Sequence, residues 1–198
     1  MDAVTVYLLN ARALAGREET CLPLLTPKRR QAAEAHKHES ARLRTIAAGL
    51  LLRDVLGVRD DADLIYNEFG KPALAAGRPC FNLSDGGDWA ALAVAGFPVG
   101  VDLEPLRENW PAGLRRCFLP DELAWLDEEP AGERFWVLWT RLEAVLKARG
   151  TGFALRERTV PLLEDGRPWY FKNAVHAGCM LACAAPAPFE LRLTERRF

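Results

Sequence analysis

WAALAVAG, Trp89 to Gly96, is a strand-like run of small apolar residues set between Gly/Pro punctuation. A second run of this kind, CMLACAA, occupies Cys179 to Ala185. Each follows a long helical segment. In the first half this is KRRQAAEAHKHESARLRTIAAGLLLRDVLG, Lys28 to Gly57; in the second it is GERFWVLWTRLEAVLKARG, Gly132 to Gly150. A helix followed by small-residue strands, twice over, implies an α+β fold of two pseudo-symmetric halves, residues 1–100 and 101–198. The repeat is one of elements and not of letters. No low-complexity linker separates the halves, so they are expected to pack against each other.

The first helical segment contains no proline after Pro27 and stops at Gly57. It predicts one helix of about seven turns with Thr26 as its cap and the glycine as its stop. Its first half is basic and solvated. Its second half places Ile46, Ala47, Leu50, Leu51 and Val55 at helical spacing, the pattern of a core-facing stripe. VTVYLL, DLIYNEF, PCFNLS and PVGVDLE are further strand candidates of the first half. WYFKNAVH and FELRLTE join CMLACAA in the second.

The 198 residues are 49% hydrophobic and 27% charged, an ordinary globular composition long enough to bury a sizeable core. Lys and Arg (26) nearly balance Asp and Glu (27), so no global field favours nucleic acid or an anionic membrane surface. No apolar run approaches the roughly 20 residues that span a bilayer. The start MDAVTVYLLNAR lacks the basic n-region of a signal peptide. A cytoplasmic location is the expectation, with the five scattered cysteines as reduced core thiols.

GVDLE carries Asp102 and Glu104 at the end of a strand candidate. Period-two alternation sends both carboxylates to one face and Val101 and Leu103 to the other. Two carboxylates on one face repel unless a cation lies between them, and a hard divalent ion takes oxygen ligands. On the second long helix Glu143 and Lys147 stand four apart and share a face, bordered by Trp136, Trp139 and Thr140. From spacing alone two readings stay open: an exposed helix ion pair, or a metal–phosphate site with the lysine facing charge that develops on phosphate.

These residues sit in a set of motifs that runs in order along the chain: EFGKP, FNLSDGG, GVDLE, FLPDE and WTRLEAVLKARGTGF. Together they resemble the 4′-phosphopantetheinyl transferases of the surfactin-synthetase-activating type, from about Pro27 to Phe153. The resemblance implies a pseudo-dimeric α+β fold with the active site between its halves. It implies transfer of the phosphopantetheine arm of coenzyme A to a serine of an apo acyl or peptidyl carrier protein, releasing adenosine 3′,5′-bisphosphate. By similarity Asp102, Glu104 and Glu143 match the ligands of a magnesium ion, and Glu143 the base toward the carrier serine. Lys147 matches the lysine that meets the departing phosphate. Arg44, Lys71 with Pro72, Ser84 and the adjoining Asp85 match positions that contact coenzyme A, with Arg44 toward the 3′-phosphate. Glu122 matches a further acidic position. No nucleic acid or membrane partner is implied, and a pseudo-dimer in one chain suggests a monomer.

Two positions depart from the family pattern. Leu142 stands where lysine is usual, and Asp85 follows the serine where histidine is usual. They motivate an alternative, a coenzyme A or carrier-protein-binding module with impaired catalysis. A magnesium-dependent nuclease is a further rival, disfavoured by the helical placement of Glu143 and Lys147 and by the absence of a basic surplus. His36 and His38 lie two apart and cannot share a helix face, so they read as solvated residues. Lys28, Arg29 and Arg30 read either as a solvated helix start or as a contact for phosphate or an acidic carrier. Among the tryptophans, Trp110 is expected to face a partner, and Trp125, Trp136, Trp139 and Trp169 to fill the core or an interface.

Overall fold

In a computed structural model, which describes residues 2–129, 132–151, 160–164, 166 and 168–198, the chain forms four stacked layers. The first half runs β1 (Ala3–Asn10), a short α1 (Glu18–Cys21), α2 (Pro27–Ala35) and α3 (Glu39–Leu56). It continues through β2 (Leu64–Tyr66), β3 (Pro72–Leu74), β4 (Cys80–Gly86) and β5 (Trp89–Ala95). The second half runs β6 (Gly100–Pro105), α4 (Pro120–Glu128), α5 (Glu133–Arg149), β7 (Tyr170–His176), β8 (Cys179–Ala185) and β9 (Glu190–Arg196). Gly152 and Phe153 of the last motif lie outside the described residues.

The pseudo-symmetry is visible in the strand order. One sheet is ordered β4-β5-β1-β9 and another β6-β8-β7. In each half an antiparallel hairpin, β4–β5 or β7–β8, pairs through its second strand with the strand that opens that half. The last strand, β9, pairs in parallel with β1, so the first sheet takes one strand from the second half of the chain.

Burial explains why β5 and β8 are made of small residues. Ala91, Ala93 and Ala95 of β5 meet Cys179, Leu181 and Cys183 of β8 in a core between the two sheets, with Val101 and Leu103 of β6. The opposite face of β5, with Ala90 and Leu92, packs under α3. Met180, Ala182 and Ala184 of β8 pack under α5. Both strands are therefore covered on both faces, and small side chains let helix, sheet, sheet and helix close on one another.

The one long helix expected from Thr26 to Gly57 is two. Thr26 does cap the first, its Oγ1 accepting from the Arg29 amide at 3.4 Å, and Gly57 ends the second at φ 71°. Between them His36 and His38 are extended, with ψ 126° at each. The break folds α2 back along α3, where Leu25 and Arg29 fill the space that Gly49 leaves open. That contact with α3 overrides a local sequence that has no helix breaker. His36 then bonds Thr45 Oγ1 at 2.9 Å. The strand expected over DLIYNEF is also shorter, because the Asn67 side chain accepts from the amides of Phe69 and Lys71 and closes a turn after Tyr66.

Candidate active site

The site lies where the edge strands of the two sheets meet. Gly86 makes the approach possible, since a Cβ there would stand 2.1 Å from the Leu103 carbonyl oxygen. Side chains of β4 then bond the backbone of β6 in place of a regular ladder. Asn82 Oδ1 accepts from the Val101 amide at 2.9 Å, and Ser84 Oγ accepts from the Leu103 amide at 3.2 Å. Asn82 was not anticipated as a functional position. Its Asn-x-Ser spacing from Ser84, which puts both on one face of a strand, was the signal that could have found it.

Alternation on β6 is as the sequence implied. Val101 and Leu103 enter the core between the sheets, while Asp102 and Glu104 face the helix side. Gly100 allows α5 to lie directly on β6, because a Cβ at that position would fall 1.8 Å from the Ala144 carbonyl oxygen. This brings Lys147 Nζ to 2.6 Å from Asp102 Oδ1 and 2.9 Å from Ser84 Oγ. Ser84 in turn donates to Asp102 Oδ1 at 3.0 Å. Asp102 is 3% exposed, and its second oxygen, Oδ2, is buried with no hydrogen-bond partner among the described residues.

Three carboxylates are electrostatically coupled here. Burial pushes the Glu143 carboxyl from 4.5 up to about 7, and Asp102 and Glu104 add to the rise while Lys147 opposes it. Burial also raises Glu104, with Asp102 adding, against Lys147, a hydrogen bond from Trp139 and the charge of Arg107. Trp139 is thus a polar partner of Glu104 and not only a border of the site. No group of three or more His, Cys, Asp or Glu stands arranged as a cation site among the described residues. The donor set nevertheless suits a hard cation: one buried carboxylate oxygen lacks a partner, and two further carboxylates are held near it at an electrostatic cost.

A cavity of about 200 Å³ opens beside Glu143 and Lys147, bordered by Phe69, Lys71, Pro72 and Asn82. Lys71 Nζ donates to the Ala148 carbonyl at 2.7 Å, at the C-terminal end of α5, and burial lowers its affinity for a proton. Asn67 Nδ2 donates to the Gly150 carbonyl at 2.8 Å and so ties the β2–β3 turn to the same helix end. On the other side of β4, Arg44 Nε bonds Asp85 Oδ2 at 2.6 Å, and one of its terminal nitrogens reaches the Gly87 carbonyl at 3.3 Å.

Other singled-out residues have partners within the chain. Leu142 is buried in the core beneath α5. Arg141 bonds Asn173 Oδ1 at 2.7 Å and the Leu162 carbonyl at 2.6 Å. Glu122 is fully buried and accepts from the amides of Leu119 and Leu162, both at 2.8 Å. Trp110, expected to face a partner, is half-buried and stacks on Phe135 with ring centres 4.3 Å apart and planes at 7°, because the loop after β6 lies back over α5. Lys28 lies over the Tyr66 ring at 5.5 Å, and Arg30 pairs with Glu34 at 2.9 Å. The five cysteines are free, with Cys21, Cys179 and Cys183 buried. No helix among the described residues is long and apolar enough to cross a membrane.

Comparison with known proteins points one way. Residues 98–181, from just before β6 into β8, match the model of the 4′-phosphopantetheinyl transferase superfamily. The chain is 30% identical over 181 residues to the 4′-phosphopantetheinyl transferase psf-1 of Bacillus pumilus, covering 83% of this chain and 76% of that protein. It is 27% identical over 199 residues to the transferase Sfp of Bacillus subtilis (strain 168), covering 89% of each. It is 40% identical over 95 residues to the transferase AcpT of Salmonella typhimurium, an alignment that takes in 44% of this chain and only half the length of that relative.

Proposed function

The chain belongs to the 4′-phosphopantetheinyl transferase superfamily, and from that premise we propose that it moves the 4′-phosphopantetheine arm of coenzyme A onto a serine of an apo acyl or peptidyl carrier protein. The observation that carries this reading is the contact among Lys147, Asp102 and Ser84 beside a Glu143 whose pKa is about 7.

The chemistry follows from what each group can do. The carrier hydroxyl forms a new P–O bond at the β-phosphorus of coenzyme A. The phosphoanhydride bond breaks, and adenosine 3′,5′-bisphosphate leaves with the bond's electron pair. Glu143, titrating near neutrality, is suited to take the serine proton directly or through one water. Lys147 is fixed at Asp102 and Ser84, so its ammonium is in place before charge builds on the leaving phosphate. The Ser84 hydroxyl can turn from Asp102 to a phosphate oxygen. Asp102, Glu104 and Glu143 are the residues that would hold a magnesium ion, which when bound would neutralise charge on the donor's pyrophosphate.

Asp102→Ala and Glu143→Gln are each expected to slow transfer at least about a hundredfold while leaving the circular dichroism spectrum native. Transfer at the wild-type rate by either variant contradicts the site assignment. Coenzyme A binding without transfer to any of several apo carriers would favour an impaired binding module.

A further inference from the structure

The turn NEFGK, Asn67 to Lys71, joins β2 to β3, and these two strands form a sheet of their own outside the two larger ones. A two-stranded hairpin is marginal in isolation, so where its tip stands depends on what ties it down. Asn67 makes two kinds of bond there. Its Oδ1 accepts from the amides of Phe69 at 3.0 Å and Lys71 at 2.8 Å, which closes the turn. Its Nδ2 donates at 2.8 Å to the carbonyl of Gly150, 83 residues along the chain. Gly150 ends α5 at φ 72°, and a Cβ there would stand 2.9 Å from Asn67 Nδ2 and 2.8 Å from Lys71 Cδ. The last carbonyls of a helix lack partners within it, and those of Ala148 and Gly150 find theirs in Lys71 and Asn67 of the other half.

This tie sets one wall of the cavity beside Glu143 and Lys147. Phe69, Gly70, Lys71 and Pro72 form that wall, and α5 stands opposite. The helix is seated independently, by Gly100 against β6 and by Lys147 at Asp102 and Ser84. The bond at Gly150 therefore fixes the turn to the helix and leaves the transfer residues where β6 puts them. Two lysines, Lys71 and Lys147, line the cavity, which suits the anionic donor better than a neutral carrier serine. An anion there competes with the Ala148 carbonyl for the Lys71 ammonium, whereas the uncharged amide of Asn67 keeps its place on Gly150. We propose that Asn67 is a positioning residue for the transfer: it holds the β2–β3 turn on the end of α5, and through Phe69 and Lys71 it fixes the space in which coenzyme A binds. This rests on the transferase reading above and deepens it.

The test uses Asn67→Ser and Asn67→Ala in the full chain. A serine hydroxyl still accepts from the amide two residues on, and so keeps the turn closed, but it is too short to reach Gly150; alanine loses both kinds of bond. For each variant the Kd of coenzyme A is measured without a carrier, and kcat and both KM values with an apo carrier and magnesium. Coenzyme A is expected to bind both variants about five- to tenfold more weakly, with its KM rising in step. The kcat and the KM for the carrier are expected to stay within about twofold of the wild type. A lowered unfolding midpoint with unaltered coenzyme A binding overturns the proposal, since that is what a purely structural role produces. Wild-type binding by Asn67→Ser overturns it too, as does a loss confined to kcat or to the carrier's KM. Asn67 lies on an exposed turn, so both variants are expected to fold. If the wild type transfers to no carrier, it is the transferase reading that fails, while the Kd comparison still decides the role of Asn67.

Discussion

Glu143 holds the least comfortable charge in the described site. Its folded pKa of about 7 stands above the ordinary 4.5, so the folded protein binds this proton more tightly than the unfolded chain. Stability from this group is undiminished below about pH 4.5 and falls as pH rises through about 7. Glu143→Gln removes that cost. Without added divalent cations, the variant is expected to be more stable than the wild type by about 1–2 kcal/mol at pH 8, a figure reduced for partial solvent screening, and by little at pH 5. Urea unfolding at the two pH values checks this, and an equal difference at both would contradict it. The sequence displayed the carboxylates and the lysine, since strand and helix periods place them on shared faces. It did not display the partners of the charges. Arg44 and Asp85 are 41 residues apart, and nothing in either's neighbourhood announces their pairing. The stacking of Trp110 was hidden for a similar reason, because the ring it meets lies on α5, a separate element.

At the scale of elements, the small-residue strands β5 and β8 were legible as strands, and their burial on both faces gives the reason for their composition. The glycines at close approaches were legible only as turn signals. Gly100 shows what they do: it lets α5 rest on β6 and so sets the height of Lys147 above Asp102. Gly100→Ala is expected to destabilise the protein by on the order of 3 kcal/mol or more, because the added methyl meets backbone that cannot step aside. Gly96→Ala is the control. It has nothing within 4 Å of its added carbon and should be near neutral. Comparable unfolding midpoints for the two variants would refute the account of α5 seating. The break between α2 and α3 was not legible at all. His36 to His38 contain neither Gly nor Pro, and the helix ends there because α2 gains more by packing on Gly49 than by continuing into water.

The whole molecule follows from a duplicated plan in which each half lays a helix over a hairpin and its opening strand. The two inner sheet faces close together, and the edges β4 and β6 meet through Asn82 and Ser84. The seam created there supplies Ser84 from one half and Asp102, Glu143 and Lys147 from the other. The repeated order of elements made the duplication readable. The seam was not, since it is built from side-chain bonds to backbone and not from a strand ladder. The central claim is that this seam is a phosphopantetheinyl transfer site. Intact-protein mass spectrometry of an apo carrier protein, incubated with the protein, coenzyme A and magnesium, tests it most directly. The carrier serine is expected to gain the mass of one phosphopantetheine arm, a gain absent when Glu143→Gln replaces the wild type. An unchanged mass across acyl and peptidyl carriers, with a folded protein, would contradict it.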